Sequence, residues 1–176
     1  MNRALRDAPI RADGSAIHPD SALPLVRAVQ ESDADSIAFL NRVIDEHGWP
    51  TIDIIGRDGA EAAWLLVQHA DAAPELQRRA LDLMQPLAAR GQASVTNVAY
   101  LTDRVRVAQR RPQLYGTQFR PDADGVQRPY PIEDATHVDT LRTAVGWPSI
   151  ATYARQLESA VGGRARTEPL EVFPAR

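Results

Sequence analysis

From Asp33 onward the apolar residues of this chain recur at helical spacing, and each run is cut by glycine or proline, a pattern suited to short packed helices. Ile37, Leu40, Val43 and Ile44 form the first stripe, with Asp33 placed as its cap and Gly48-Trp49-Pro50 as its stop. After a turn at Gly56 to Gly59, Ala60 to His69 is an unbroken series of good helix formers ending near Asp71. Pro74 opens a third helix through Leu76, Ala80, Leu83, Met84 and Leu87; Gly91 ends it, and Pro86 is expected to kink or shorten it. A fourth runs from Ser94 or Thr96 to Gln109, ahead of Pro112.

The character then changes. Gln113 to Phe119, the turn-forming Pro121-Asp-Ala-Asp-Gly125 and the run from Val126 to Ile132 predict a short β-hairpin or paired loop near 113–132. Asp134 is expected to cap a helix to Val145, which Gly146 ends, and Ser149 to cap a last helix reaching Val161. The expected fold is mainly α, one compact helical domain of about six helices over 31–161. Residues 1–30, with Pro9, Pro19 and Pro24, read as an extended or disordered arm, and 162–176 as a C-terminal tail. Gly-Trp-Pro occurs at 48–50 and again at 146–148, but the flanking segments differ, so it reads as a helix stop with an aromatic anchor rather than a repeat.

With 176 residues, 44% of them hydrophobic, the chain can bury a core without staples. It has no cysteine, which excludes disulfides, thiolate metal sites and a cysteine nucleophile and fits a reducing compartment. Residues 1–14 are charged and broken by proline and glycine, unlike a secretory signal, and no apolar run approaches the ~20 residues of a membrane span. A cytoplasmic protein without membrane contact is expected. All 20 basic residues are arginine, and a net charge of −3 argues against nucleic acid as a partner, although Arg104, Arg106, Arg110 and Arg111 cluster locally. His18, His47, His69 and His137 show no metal-ligand spacing; only Glu46-His47 and His69-x-Asp71 keep a metal-dependent hydrolase as a minor alternative. Phosphate-loop, dinucleotide and Gly-x-Ser-x-Gly patterns are missing from the sequence, so no metal and no cofactor is expected.

Polar residues concentrate in Gln68 to Asp71, Tyr100 to Arg104 and Gln113 to Gln118. Trp64, Gln68 and Asp71 share one helical face; Asn97, Tyr100 and Arg104 share another, with Asp103 beside them. His69 is the one imidazole in this group, and Asp71 or Asp103 is placed to orient it as a general acid or base. Arg104 would bind an anionic group, while Gln68, Tyr100, Tyr115, Thr117 and Gln118 would position substrate. The expectation is a small cofactor-independent enzyme acting on a polar small molecule by hydrolysis, elimination or cyclisation. The alternative is a non-catalytic helical binding or protein-interaction module, in which the same residues form a satisfied structural network and Asp71 is only a cap. The oligomeric state is not indicated.

Gly48-Trp-Pro50, Trp64, Gln68-His-Ala-Asp71, Gln77, Ala99-Tyr-Leu-x-Asp-Arg104, Gln113-x-Tyr-Gly-Thr-Gln118 and Pro131-Ile-Glu-Asp134, in this order, resemble a widespread family of uncharacterised bacterial proteins. The likeness covers roughly 31–155. It implies that these polar positions belong to one pattern, and with that a shared ligand or reaction, but no substrate.

Overall fold

The structure, a computed structural model, describes residues 19–173. Four longer helices come first: α1 (Pro19–His47), α2 (Ile52–His69), α3 (Pro74–Ala88) and α4 (Val95–Ala108). A two-stranded hairpin follows, β1 (Phe119–Pro121) and β2 (Gln127–Pro129), then α5 (Val138–Ala144) and α6 (Ile150–Val161). The chain is mainly α with one small antiparallel hairpin, as the spacing of its apolar residues predicts.

The main core lies among α1 to α4. Leu40 and Ile44 of α1, Ala63 and Val67 of α2, Leu76, Ala80 and Met84 of α3, and Leu101 and Val105 of α4 close on one another, all at intervals of four residues. Trp49, just after Gly48, is buried in the same cluster, the anchoring role expected of it. The buried positions of α4 fall into two sets, Asn97, Leu101 and Val105 on one stripe and Ala99 and Asp103 on the other. Two residues along a helix is a rotation of about 200°, so α4 is covered on opposite sides. One side meets the core; the other carries Asp103 toward the segment that follows.

Several boundaries differ from the sequence expectation. Helix α1 already begins at Pro19, inside the stretch expected to be an extended arm, because a proline at the first helical position loses no hydrogen bond. The rest of that expectation, residues 1–18, lies outside the described residues. Helix α2 starts at Ile52, and the glycine turn survives only as a break at Gly56 (φ 73°, ψ 174°). Helix α3 runs through Pro86, whose ring sits on the exposed side. Asp134 does not cap α5 directly. Its carboxylate accepts from the backbone N–H groups of Thr136 and His137 in a turn, and the helix follows at Val138. Ser94 and Ser149 do cap their helices, accepting from the N–H of Asn97 and of Thr152.

Phe119 pairs with Pro129 and Pro121 with Gln127. The turn between is closed by Asp122, whose carboxylate accepts from the N–H groups of Asp124 and Val126. Residues 164–170, expected as tail, lie along the hairpin. Gln127 donates its N–H to the Arg164 carbonyl at 2.7 Å, Arg166 donates to the Gln127 carbonyl at 2.9 Å, and Leu170 donates to the Pro129 carbonyl at 2.9 Å. Phe173 then stacks on Tyr130. The backbone groups left open on β2 supply the reason, since an unpaired edge takes any strand that reaches it.

Candidate functional site

Asp103 is fully buried and accepts hydrogen bonds from three backbone N–H groups and one hydroxyl of the neighbouring loop. The N–H of Leu114 reaches its carboxylate at 2.7 Å, that of Tyr115 at 3.0 Å and that of Thr117 at 3.0 Å, and the Thr117 hydroxyl donates at 2.9 Å. Burial pushes the Asp103 carboxyl above its ordinary value, while the N–H groups of Tyr115, Thr117 and Leu114 pull the other way. Gln113 secures the same loop from its other end. Its amide oxygen accepts from the Gln118 N–H at 2.9 Å and its amide nitrogen donates to the carbonyls of Gln118 (3.0 Å) and Tyr130 (2.9 Å). The Gln118 side chain donates to the Thr117 hydroxyl. At the apex Gly116 has φ 66°, a backbone conformation that favours glycine, and a Cβ there would lie 2.5 Å from Cδ1 of Ile150, so a side chain would also force Ile150 to shift.

Arg142 of α5 enters the carbonyl side of this loop. Only 1% of its surface is exposed. Its Nε donates to the Pro148 carbonyl at 2.7 Å and its Nη1 to the Tyr115 carbonyl at 2.8 Å, with Gly116 at 3.5 Å. The guanidinium lies over the Trp147 ring, 5.5 Å from its centroid, and over the Tyr153 ring at 4.9 Å. Among the described residues Arg142 makes no ion pair, and its Nη2 has no acceptor. Burial lowers the basicity of the group, and Tyr153, followed by the carboxylates of Asp139 and Asp103, acts against that.

Beside Arg142 is a cavity of about 230 Å³ lined by Tyr100, Thr117, Arg142, Trp147, Pro148, Tyr153 and Gln156. The rings pack edge to face around it: Tyr115 on Trp147, Phe119 on Tyr153, and Tyr100 on Trp64 behind. Burial and the neighbouring Tyr100 push the Tyr153 phenol up to about 12. Of the residues that sequence reasoning picked out, Tyr100 and Thr117 line this cavity. Asp103, Tyr115 and Gln118 support its wall.

The remaining predicted residues gather elsewhere. Arg104 pairs through Nη1 with the Asp71 carboxylate, and Gln77 donates to that carboxylate and to the carbonyls of Val67 and Gln68. Gln77 therefore closes the C-terminal end of α2, whose last carbonyls have no partner within the helix. His69 is exposed, in a shallow depression between α1 and α2 shared with Asp33, Ser36, Ile37 and Leu66. The hydrogen bonds of Asp71 go to Arg104 and Gln77 and those of Asp103 to the 114–117 loop, so neither carboxylate is engaged with the His69 ring. No group of three or more potential metal ligands occurs among the described residues. Among them, too, no helix is long and apolar enough to cross a membrane.

The model of a family of unknown function, DUF6624, matches residues 6–166. The chain belongs to that family. The match extends beyond the motif likeness at both ends, into the start of the sequence and through α6 to the strand-like stretch on the hairpin. No curated protein matches the chain, and neither does any solved structure.

In this DUF6624 chain, sequence reasoning missed Arg142, Trp147, Tyr153 and Gln156 as lining residues. A signal for Arg142 existed. It stands four residues after Val138, on the apolar stripe of a short helix, and Gly-Trp-Pro follows directly; an arginine on a buried stripe needs a reason. Tyr153 and Gln156 carried no comparable mark, because α6 shows polar residues on most of its turns.

Proposed function

We propose that this protein binds a small organic anion in the cavity between α4, the 113–118 loop, α5 and α6. One observation carries the reading: Arg142, a buried guanidinium without an ion pair, lines that cavity. Enclosing an unpaired cation costs several kcal/mol even after relaxation. The carbonyls of Pro148 and Tyr115 and the two rings offset part of this, and an anion on Nη2 supplies the missing counter-charge. The loop that presents the Tyr115 carbonyl is fixed by Asp103 and Gln113, so that side of the cavity wall exists before any ligand arrives.

Binding is better supported than acid–base turnover. Neither imidazole nor carboxylate is among the cavity's lining residues, and Tyr153 stays protonated far above neutrality. The pairing of His69 with Asp71 or Asp103 lacks geometric support, as both carboxylates are engaged elsewhere.

Thermal unfolding in a series of small organic anions and their uncharged amides tests the proposal. A ligand at 100 times its Kd stabilises by about 2.7 kcal/mol, a readily measured rise in Tm. The anions, and not the amides, are expected to raise the Tm of the parent, with no rise for Arg142→Gln. Equal effects of anions and amides would overturn the reading.

A further inference from the structure

The same cavity says more about the anion. This step rests on the proposal above, that Arg142 is the anion's counter-charge. Phosphate sites present several donors at once, commonly a run of backbone N–H groups or a helix N-terminus. Here the N–H groups of Leu114, Tyr115 and Thr117 all point at Asp103, and the loop turns its carbonyls, those of Tyr115 and Gly116, toward the guanidinium. The Thr117 hydroxyl is likewise spent on Asp103. What remains for an anion is the Nη2 side of one guanidinium, with the negative charges of Asp103 and Asp139 acting on Arg142 from further away. One charge is matched; a second would be unmatched and repelled.

The rest of the lining is apolar or weakly polar. Tyr100, Trp147, Tyr153 and Pro148 offer ring and hydrocarbon surface, and Gln156 stands at the exposed margin. No lining carboxylate is available for an ammonium group, and Arg142 repels one. At about 230 Å³ the cavity is smaller than the ~300–1,000 Å³ of sites for drug-sized ligands, so it accommodates a body of about one ring.

We infer that the ligand is a small monocarboxylate with an aromatic or apolar body, its carboxylate on Nη2 of Arg142 and its body among Tyr100, Trp147 and Tyr153. Phosphate esters and amino acids of the same body are discriminated against, the first by charge and donor count, the second by the ammonium group.

Isothermal titration of the full chain with phenylacetate, phenyl phosphate and phenylalanine tests this. Phenylacetate is expected to bind, and the other two at least about tenfold more weakly. Gln156→Glu, an exposed substitution that leaves the packing alone, is expected to weaken phenylacetate severalfold, and Arg142→Lys, if folded by circular dichroism, by more than about tenfold. Phenyl phosphate binding as tightly as phenylacetate would overturn the monocarboxylate inference while leaving the anion cavity standing. Phenylacetate binding that is unchanged in Gln156→Glu would overturn it as well, by placing the ligand elsewhere. If none of the three binds, and small anions also leave the Tm unchanged, the anion reading itself fails.

Discussion

Thr117 donates both its backbone N–H and its hydroxyl to the carboxylate of Asp103, at 3.0 and 2.9 Å. Through this pair α4 holds the loop whose Tyr115 carbonyl receives Arg142, so the carboxylate of Asp103, a catalytic candidate in the sequence, is engaged in fixing that loop.

Asp103→Asn places an amide N–H against a nest of donors. A buried donor left without an acceptor costs about 1–3 kcal/mol. Urea unfolding is expected to show a loss in that range, and Thr117→Val a loss of about 2 kcal/mol, since the hydroxyl gives up its bond to Asp103 and the one it accepts from Gln118. A change of under about 0.5 kcal/mol in Asp103→Asn, the size of an ordinary surface substitution, would show that the loop does not depend on it.

Gly116→Ala meets two obstacles, a left-handed backbone and a Cβ 2.5 Å from Ile150. The left-handed conformation alone costs roughly 1–2 kcal/mol for a residue with a side chain. Combining it with Ile150→Ala removes the clash but not the backbone strain. In a double-mutant cycle the two substitutions are therefore expected to couple favourably; simple additivity would deny the close approach of α6.

Gln77 and Asp71 share a hydrogen bond but differ in exposure. Gln77 is 2% exposed and serves two backbone carbonyls, whereas the Asp71 side chain is 70% exposed. Gln77→Leu is expected to cost about 2 kcal/mol, leaving the end of α2 unsatisfied. Asp71→Ala is expected to cost at most about 1 kcal/mol, as an exposed ion pair contributes little. The reverse order would assign Asp71 a role that its surroundings do not suggest.

The Tyr153 phenol ionises at 10.0 in an unfolded chain and at about 12 in the fold. Between those values the folded chain keeps a proton that the unfolded chain has lost, so the unfolded state is favoured as pH rises. Stability is expected to fall over this window in the parent and to fall less in Tyr153→Phe, read from urea midpoints at stepped alkaline pH. Equal slopes would mean that burial does not hold the proton.

Much of the fold was legible because its signals are local. Ser94 and Ser149 are caps that need no knowledge of tertiary structure, and the i, i+4 stripes of α1 and α3 declare their buried faces. The start of α1 was hidden by Pro19 and Pro24, which read as helix breakers; a proline at the first position, as at Pro19, is harmless, and the helix runs on through Pro24. The docking of 164–170 on the hairpin was equally hidden, because Arg128 and Glu158 meet this segment only at its backbone carbonyls and N–H groups, which no residue type marks. The candidate site was half legible. Tyr100, Asp103, Thr117 and Gln118 stood out by polarity, but polarity does not separate a residue that meets a ligand from one that holds a loop. Arg142 lies far along the chain from the loop it enters, so its role depends on a packing that no local pattern encodes.

The most direct measurement is side-chain nitrogen NMR of the guanidinium groups, with the Arg142 resonance assigned through Arg142→Lys and followed during titration with phenylacetate. The Arg142 resonance is expected to shift saturably while the exposed arginines, Arg78 and Arg155 among them, move only as bulk salt moves them. A saturable shift elsewhere with Arg142 unmoved, or no saturable shift at all, would contradict the proposal.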